Sequence, residues 1–178
     1  MKIFFAKDGS AVVIRKPIED DAEKIILYSK ILFASTDQVL TMLEEYQISI
    51  DEEKAWINRS LQNPSALTLV AEIDNKIVGL LFFVPSTKLK SKHTGEYGVS
   101  VHPGYQNLGI GKALVGYLLD WAQAHEQIEK VFLNVFESNT RAIALYKNLG
   151  FVEEGRHVKA VKQPTGEYVD VIQMYIET

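Results

Sequence analysis

The sequence predicts one α+β domain built around a mixed sheet. Three observations carry the prediction. The chain has 178 residues, enough to bury one substantial core and short for two. Alternating and helical apolar patterns follow one another in the order β-α-α-β-β-β-α-β-α-β-β. Hydrophobic content of 47% and charged content of 24% are ordinary for a globular chain, and no repeat or low-complexity linker interrupts the pattern.

Residues 11–16 read as the first strand, closed by Pro17. Glu19, Asp20 and Asp21 then open a helical stretch to about Phe33, since acids in a first turn complement the helix dipole. Asp51, Glu52 and Glu53 play the same part before Trp56, Ile57 and Leu61, which predicts a short second helix. Between the helices the pattern is indistinct, though Met42, Leu43 and Tyr46 fit a helical turn. Residues 66–73 alternate and are rich in β formers, and Asp74-Asn75-Lys76 turns them into the apolar run 77–84 as a hairpin. Residues 95–102 extend this meander. Helix 109–125 carries Leu114, Leu118 and Trp121 on one face beside Val115, Leu119 and Ala122. Lys130–Phe136 is a strand and 139–149 a helix, ended by Gly150 just past its C-terminus. Residues 151–161 and 168–176 form the last strand pair around Pro164-Thr165-Gly166.

Composition removes several functional classes. A net charge of −4 argues against a general nucleic-acid binder. The basic group Lys88, Lys90, Lys92 and His93 reads as a solvated hairpin loop. There is no cysteine, hence no disulfide, thiolate metal site or thiol nucleophile. The apolar opening, Met1 to Ala6, breaks at Lys7-Asp8-Gly9, too soon for a secretory leader. No apolar run approaches the roughly 18 residues of a membrane span, so a soluble cytoplasmic protein is expected. His125-Glu126 starts like a zinc-protease motif, but position 129 is Glu129, and no metal is expected.

The most informative stretch is Gln106-Asn107-Leu108-Gly109-Ile110-Gly111-Lys112-Ala113, which follows the strand of Glu96 to His102 and opens the long helix. Free N–H groups of a first helical turn attract anions, and glycines at 109 and 111 admit a phosphate close to the backbone. Two familiar owners fail on spacing. The mononucleotide loop needs a glycine where Gln106 stands and a hydroxyl where Ala113 stands. The dinucleotide fingerprint needs a small residue where Leu114 stands.

What fits is Q-x-x-G-x-G ahead of an apolar helix. With it, Asn139, Ala142, Leu145, Tyr146, Gly150 and Phe151 match N-x-x-A-x-x-L-Y-x-x-x-G-F. On these two blocks the chain resembles the GNAT superfamily of acyl-coenzyme A N-acetyltransferases, most nearly its ribosomal-protein and polyamine branch. The resemblance spans nearly the whole chain. It implies a mostly antiparallel central sheet with one splayed strand pair and about four helices. It also implies acetyl-coenzyme A as cosubstrate and an amine acceptor, a small molecule or a protein.

The resemblance further implies roles. Gln106, Asn107, Gly109, Ile110, Gly111 and Lys112 would cradle the diphosphate of coenzyme A. Val99 and Val101 lie on a strand that in the family bulges and splays, freeing backbone groups for the pantetheine arm and one N–H for the thioester carbonyl, and Gly98 beside them suggests that irregularity. Asn139 and Tyr146, two helical turns apart, would reach the arm and its sulfur. The phenol of Tyr146, neutral at pH 7, would donate to a departing thiolate. On local grounds Asn139 equally fits a helix cap and Tyr146 a core anchor. Glu96, ten residues before Gln106, matches a glutamate seen in members acting on polyamines and ribosomal-protein N-termini and would take the amine's proton directly or through water, with a strand-end ion pair to His93 or a lysine as the plain alternative. For the acceptor, Ser35, Asp37, Glu44 and Glu45 offer acidic or polar character, and Arg156 and Tyr168 a far wall. Exposed acids on a helix are more often simply solvated. A homodimer is compatible with the exposed sheet edges. The expected activity is direct acetyl transfer to a primary amine, and the alternative is a non-catalytic acyl-coenzyme A-binding module.

Overall fold

The computed structural model describes residues 1–178. Eight strands form one sheet: β1 (Lys2–Phe5), β2 (Ala11–Arg15), β3 (Leu67–Ile73), β4 (Lys76–Pro85), β5 (Thr94–Val101), β6 (Lys130–Phe136), β7 (Val152–Lys162) and β8 (Tyr168–Glu177). Their order across the sheet is β1-β2-β3-β4-β5-β6-β8-β7. All neighbours are antiparallel except β5 and β6. Four α-helices complete the chain: α1 (Ala22–Ser35), α2 (Ile50–Gln62), α3 (Ile110–Gln123) and α4 (Thr140–Asn148).

The elements obey their local chemistry. Asp74 and Asn75 both take left-handed φ, 46° and 63°, the two-residue turn that matches strand twist in a hairpin. Ser49 caps α2 by accepting from the Glu52 N–H, and Glu52 bonds back to the Ser49 N–H. Asp21 accepts from the Ile18 N–H and from both Nη atoms of Arg15, which also reaches Glu72. Burial alone would raise the Asp21 carboxyl, but the bonds to Arg15 and the Ile18 N–H hold it below the usual carboxylate range. The loop carrying Lys88, Lys90 and Lys92 is exposed, as expected.

Strand alternation sends side chains to two cores. Leu69, Leu81, Tyr97 and Leu133 pack with Leu114 and Leu118 of α3 and with Tyr146 of α4 on one face. Val70 and Ile77 pack with Ile25 and Tyr28 of α1 and Ile57 of α2 on the other.

Two expectations need correction. Residues 2–5 form an additional edge strand, β1, which pairs with β2 around Lys7-Asp8-Gly9. The expected bulge in β5 is absent: β4 and β5 pair without a register shift from Gly79↔Val101 to Pro85↔Gly95. Gly98 serves close packing instead, because a Cβ there would lie 2.5 Å from Cζ of Phe82 across the ladder. In α2 the inward positions are Glu53 and Ile57, while Trp56 is half-buried and Leu61 exposed. The spacing of four, rather than the adjacent Trp56–Ile57 pair, defines the buried stripe.

Candidate functional site

The parallel ladder between β5 and β6 stops after Thr94↔Lys130, Gly95↔Val131 and Glu96↔Phe132. Beyond it β5 stays paired to β4 through Val101, and β6 stays paired to β8 through Phe136. The two strands therefore diverge. The edge of β5 that contains Val99 and Val101 has no strand partner on this side, so alternate N–H and C=O groups there are open to a ligand, the Val101 carbonyl having only the Gln106 side chain beside it.

The diverging edge leads directly into the glycine turn. Gly109 is the N-cap of α3 with φ 92°, and no side chain caps the helix. A glycine is needed there because L side chains pay a steric cost at such φ. Asn107 is also left-handed, at φ 67°. The first intrahelical bond runs from the Ala113 N–H to the Gly109 carbonyl, so the N–H groups of Ile110, Gly111 and Lys112 project from the helix end without intrahelical partners. A Cβ at Gly111 would make only ordinary contacts with Leu145 and Val101, at 3.6 Å. Its smallness matters to what approaches from outside rather than to packing. The loop is tied to the β1–β2 hairpin by a bond from the Lys7 N–H to the Leu108 carbonyl, 3.2 Å.

Helix α4 forms the opposing wall. Asn139 is its N-cap and accepts from the Ala142 N–H at 3.2 Å, so the capping role foreseen for it is present, and only its amide N–H₂ is left for other work. Arg141, which belongs to neither motif position, donates to Oε1 of Gln106 at 2.8 Å, and Nε2 of Gln106 lies 3.5 Å from the Val101 carbonyl. A cation in a first helical turn opposes the dipole. Arg141 in α4 and Lys112 in α3 are both so placed, with no acid in either first turn. That was the available signal for Arg141: two unfavourable cations at adjacent helix starts are reconciled by an anion between them. The uncapped turn, the two cations and the open strand edge fit the diphosphate and amide arm of a coenzyme A thioester.

Tyr146 is 7% exposed and packs edge-on to Tyr97, with ring centroids 6.2 Å apart, and against Phe151. Burial pushes its phenol up to about 12. Its core-anchor role is thus real, and nothing bonds its hydroxyl. The hydroxyl of Tyr97 is fully enclosed without a partner.

Glu96 is exposed on the opposite face of β5. Its partner is neither His93 nor a lysine: Nδ2 of Asn134 donates to Oε1 at 2.8 Å, leaving one carboxylate oxygen free. Most of the residues put forward for the acceptor are held by neighbours of their own. Ser35 donates to the Leu32 carbonyl within its own helix, and Glu44 lies in an exposed turn, Leu43–Glu45. Tyr168 sits under Lys159 and Lys162, and Arg156 is held by Glu137 and Asp170. The segment after α1 meets both the start of α4 and the β7–β8 hairpin. Ser138 donates to the Gln38 side chain and Gln163 to the Asp37 carbonyl. No three His, Asp or Glu side chains cluster as a metal site, and no helix is long and apolar enough to cross a membrane.

Comparisons with known proteins agree with this geometry. A family model described as "Acetyltransferase (GNAT) family" matches residues 33–151. The L-amino acid N-acetyltransferase AaaT of Escherichia coli is 30% identical over 128 residues, 72% of this chain and 78% of that protein. The spermidine N(1)-acetyltransferase of Vibrio cholerae is 29% identical over 134 residues, 75% of this chain and 76% of its own. Among solved structures, Salmonella typhimurium yncA with its cofactor acetyl-CoA superposes with a TM-score of 0.82 at 21% identity, covering 93% of each chain.

Proposed function

Because the chain belongs to the GNAT acetyltransferase family, we propose that it moves the acetyl group of acetyl-coenzyme A to a primary amine by direct attack in a ternary complex. The observation that carries the reading is the unpaired edge of β5, which begins just past Glu96 and leads to the uncapped start of α3. Acetyl-coenzyme A supplies an activated acetyl carbonyl.

The chain's own groups then divide the work. Gln106, Asn107, Gly109, Ile110, Gly111 and Lys112 hold the diphosphate with main-chain N–H groups and the helix dipole, and Arg141 adds a positive charge through its bond to Gln106. Val99 and Val101 pair their free main-chain groups with the arm's amides, and Asn139 offers its amide N–H₂. One N–H of this edge steadies the negative charge that develops on the carbonyl oxygen as the C–N bond forms. A lysine-like amine is only roughly one part in a few thousand neutral at pH 7, so a proton acceptor on its side of the sheet is needed. The free oxygen of Glu96, oriented by Asn134, takes the amine's proton directly or through water. Tyr146 donates a hydrogen bond to the sulfur as the C–S bond breaks.

The two relatives act on different acceptors by name, an amino acid and spermidine, so neither is carried over. The test is thiol release from acetyl-coenzyme A across a panel of amines, with mass spectrometry of the product. Release with at least one amine, accompanied by its acetylated form, is expected. Tight binding of acetyl-coenzyme A with no release on any amine would establish the non-catalytic binding module instead.

A further inference from the structure

A second cavity lies on the other face of the sheet, between α1 and α2 above β4. It encloses about 530 Å³, well within the range of small-molecule sites. Leu80 and Phe82 form its floor, and Phe33, Tyr46 and Trp56 form much of its wall. One acid lines it. Glu53 is 5% exposed and has neither an ion pair nor a hydrogen bond to its carboxyl. A buried carboxylate without a partner is expensive to keep, and an apolar residue of similar size would serve packing better. Its neighbours do not explain it. Glu52 is spent on capping α2, and Arg59 stands exposed at the rim without an ion pair to Glu53. Tyr46 and Glu53 line the same cavity.

Position links the cavity to the reaction. Phe82 pairs with Gly98 across the β4–β5 ladder, and its ring covers that glycine. The cavity floor is thus one strand spacing, about 4.8 Å, from the strand that carries Glu96, and on the same face as Glu96. We propose that this pocket is the acceptor subsite, admitting the apolar body of a primary amine whose second, cationic nitrogen is held by Glu53. The inference rests on the acetyl-transfer reading for its reaction, though not for its binding. The aromatic walls favour a cation as well as an alkyl or aryl spacer, and Glu53 supplies the charge that an apolar pocket lacks.

The experiment compares α,ω-diaminoalkanes with alkylamines of matched length, and with L-phenylalanine, as acceptors for the full chain and its Glu53→Gln and Trp56→Leu variants. Thermal melts verify that each variant is folded. The native chain should prefer the best diamine over its monoamine by about tenfold or more in kcat/KM, the scale of a charge-assisted contact. Glu53→Gln should bring the ratio near unity through KM while leaving kcat, and Trp56→Leu should raise KM for both classes. A native ratio near unity, a ratio untouched by Glu53→Gln, or L-phenylalanine outrunning every diamine overturns the proposal. Calorimetric titration of 1,6-diaminohexane separates the two readings. Binding that Glu53→Gln weakens supports the pocket even where no amine releases thiol, a result that sinks only acetyl transfer. Absence of binding to the native chain overturns the pocket whatever the turnover.

Discussion

Replacing Tyr146 with phenylalanine removes one oxygen from a buried ring and leaves its packing on Tyr97 and Phe151 intact. The phenol, pushed up to about 12 by burial, is a far weaker acid than a thiol of about 8.5. Full proton transfer to the departing thiolate is therefore uphill by about 3.5 units, roughly 5 kcal/mol. Tyr146 acts by donating a hydrogen bond to the developing charge rather than by giving up its proton. Such a bond to a charged acceptor is worth about 1.5–3 kcal/mol, so kcat should fall roughly 10- to 150-fold. The thioester sulfur before reaction is a poor acceptor, so coenzyme A affinity should hold within about twofold, as expected of a contact made only in the transition state. Because nothing bonds the hydroxyl in the folded chain, stability should change by less than about 0.5 kcal/mol. Steady-state thiol release gives kcat, calorimetry gives the coenzyme A affinity, and urea titration gives stability. A kcat reduced less than about threefold, or a loss of affinity equal to the loss of kcat, refutes the assignment.

Two further outcomes follow from packing and burial. A Cβ at Gly95 would lie 2.1 Å from Cζ of Phe83, which is 1% exposed and set edge-on to Trp121, whereas at Gly98 it would meet Phe82, which is 38% exposed and free to swing aside. Gly95→Ala should cost about 2–3 kcal/mol and Gly98→Ala less than about 1, so thermal melts should separate them by several degrees, and equal melting points would contradict the packing argument. Burial raises the phenols of Tyr28, Tyr97 and Tyr146 above their unfolded value of about 10. The stability this contributes is complete below about pH 10 and is lost as pH rises through the folded values. Urea midpoints should thus hold to about pH 10 and then decline, and Tyr97→Phe, which deletes the unpartnered hydroxyl, should soften the decline.

Most of this architecture is legible in the residues. Alternation in Lys130–Phe136 and the Asp74-Asn75 turn carry their own geometry, and Gln106 to Lys112 announces a helix start without a cap. What was missed depends on neighbours far away in sequence. The four residues of β1 are largely exposed and alternate poorly, so their pairing to β2 leaves no periodic signature. Glu53 looks like one more first-turn acid, and only the approach of α1 makes it a buried one. Asn134 as the partner of Glu96 depends on the parallel register of β5 and β6. Gly98 suggested a bulge because a strand glycine has two common explanations, and the ring of Phe82 selects the other.

The short parallel ladder has a mechanical meaning. It divides the sheet into two leaves, β1 to β5 and β6-β8-β7, joined along a spine of three residue pairs. Val99, Val101 and the turn after them belong to the first leaf, while Asn139, Arg141 and Tyr146 belong to the second. Beside the spine the leaves are joined by side chains: the Arg141–Gln106 and Asn134–Glu96 bonds, the packing of Tyr97 on Tyr146 and Phe151, and the bonds of Ser138 to Gln38 and Gln163 to Asp37. The distance from the Tyr146 hydroxyl to the strand it faces is therefore set by how far the book stands open. A substitution in β8 that tilts the second leaf acts on that distance without touching any residue of the site.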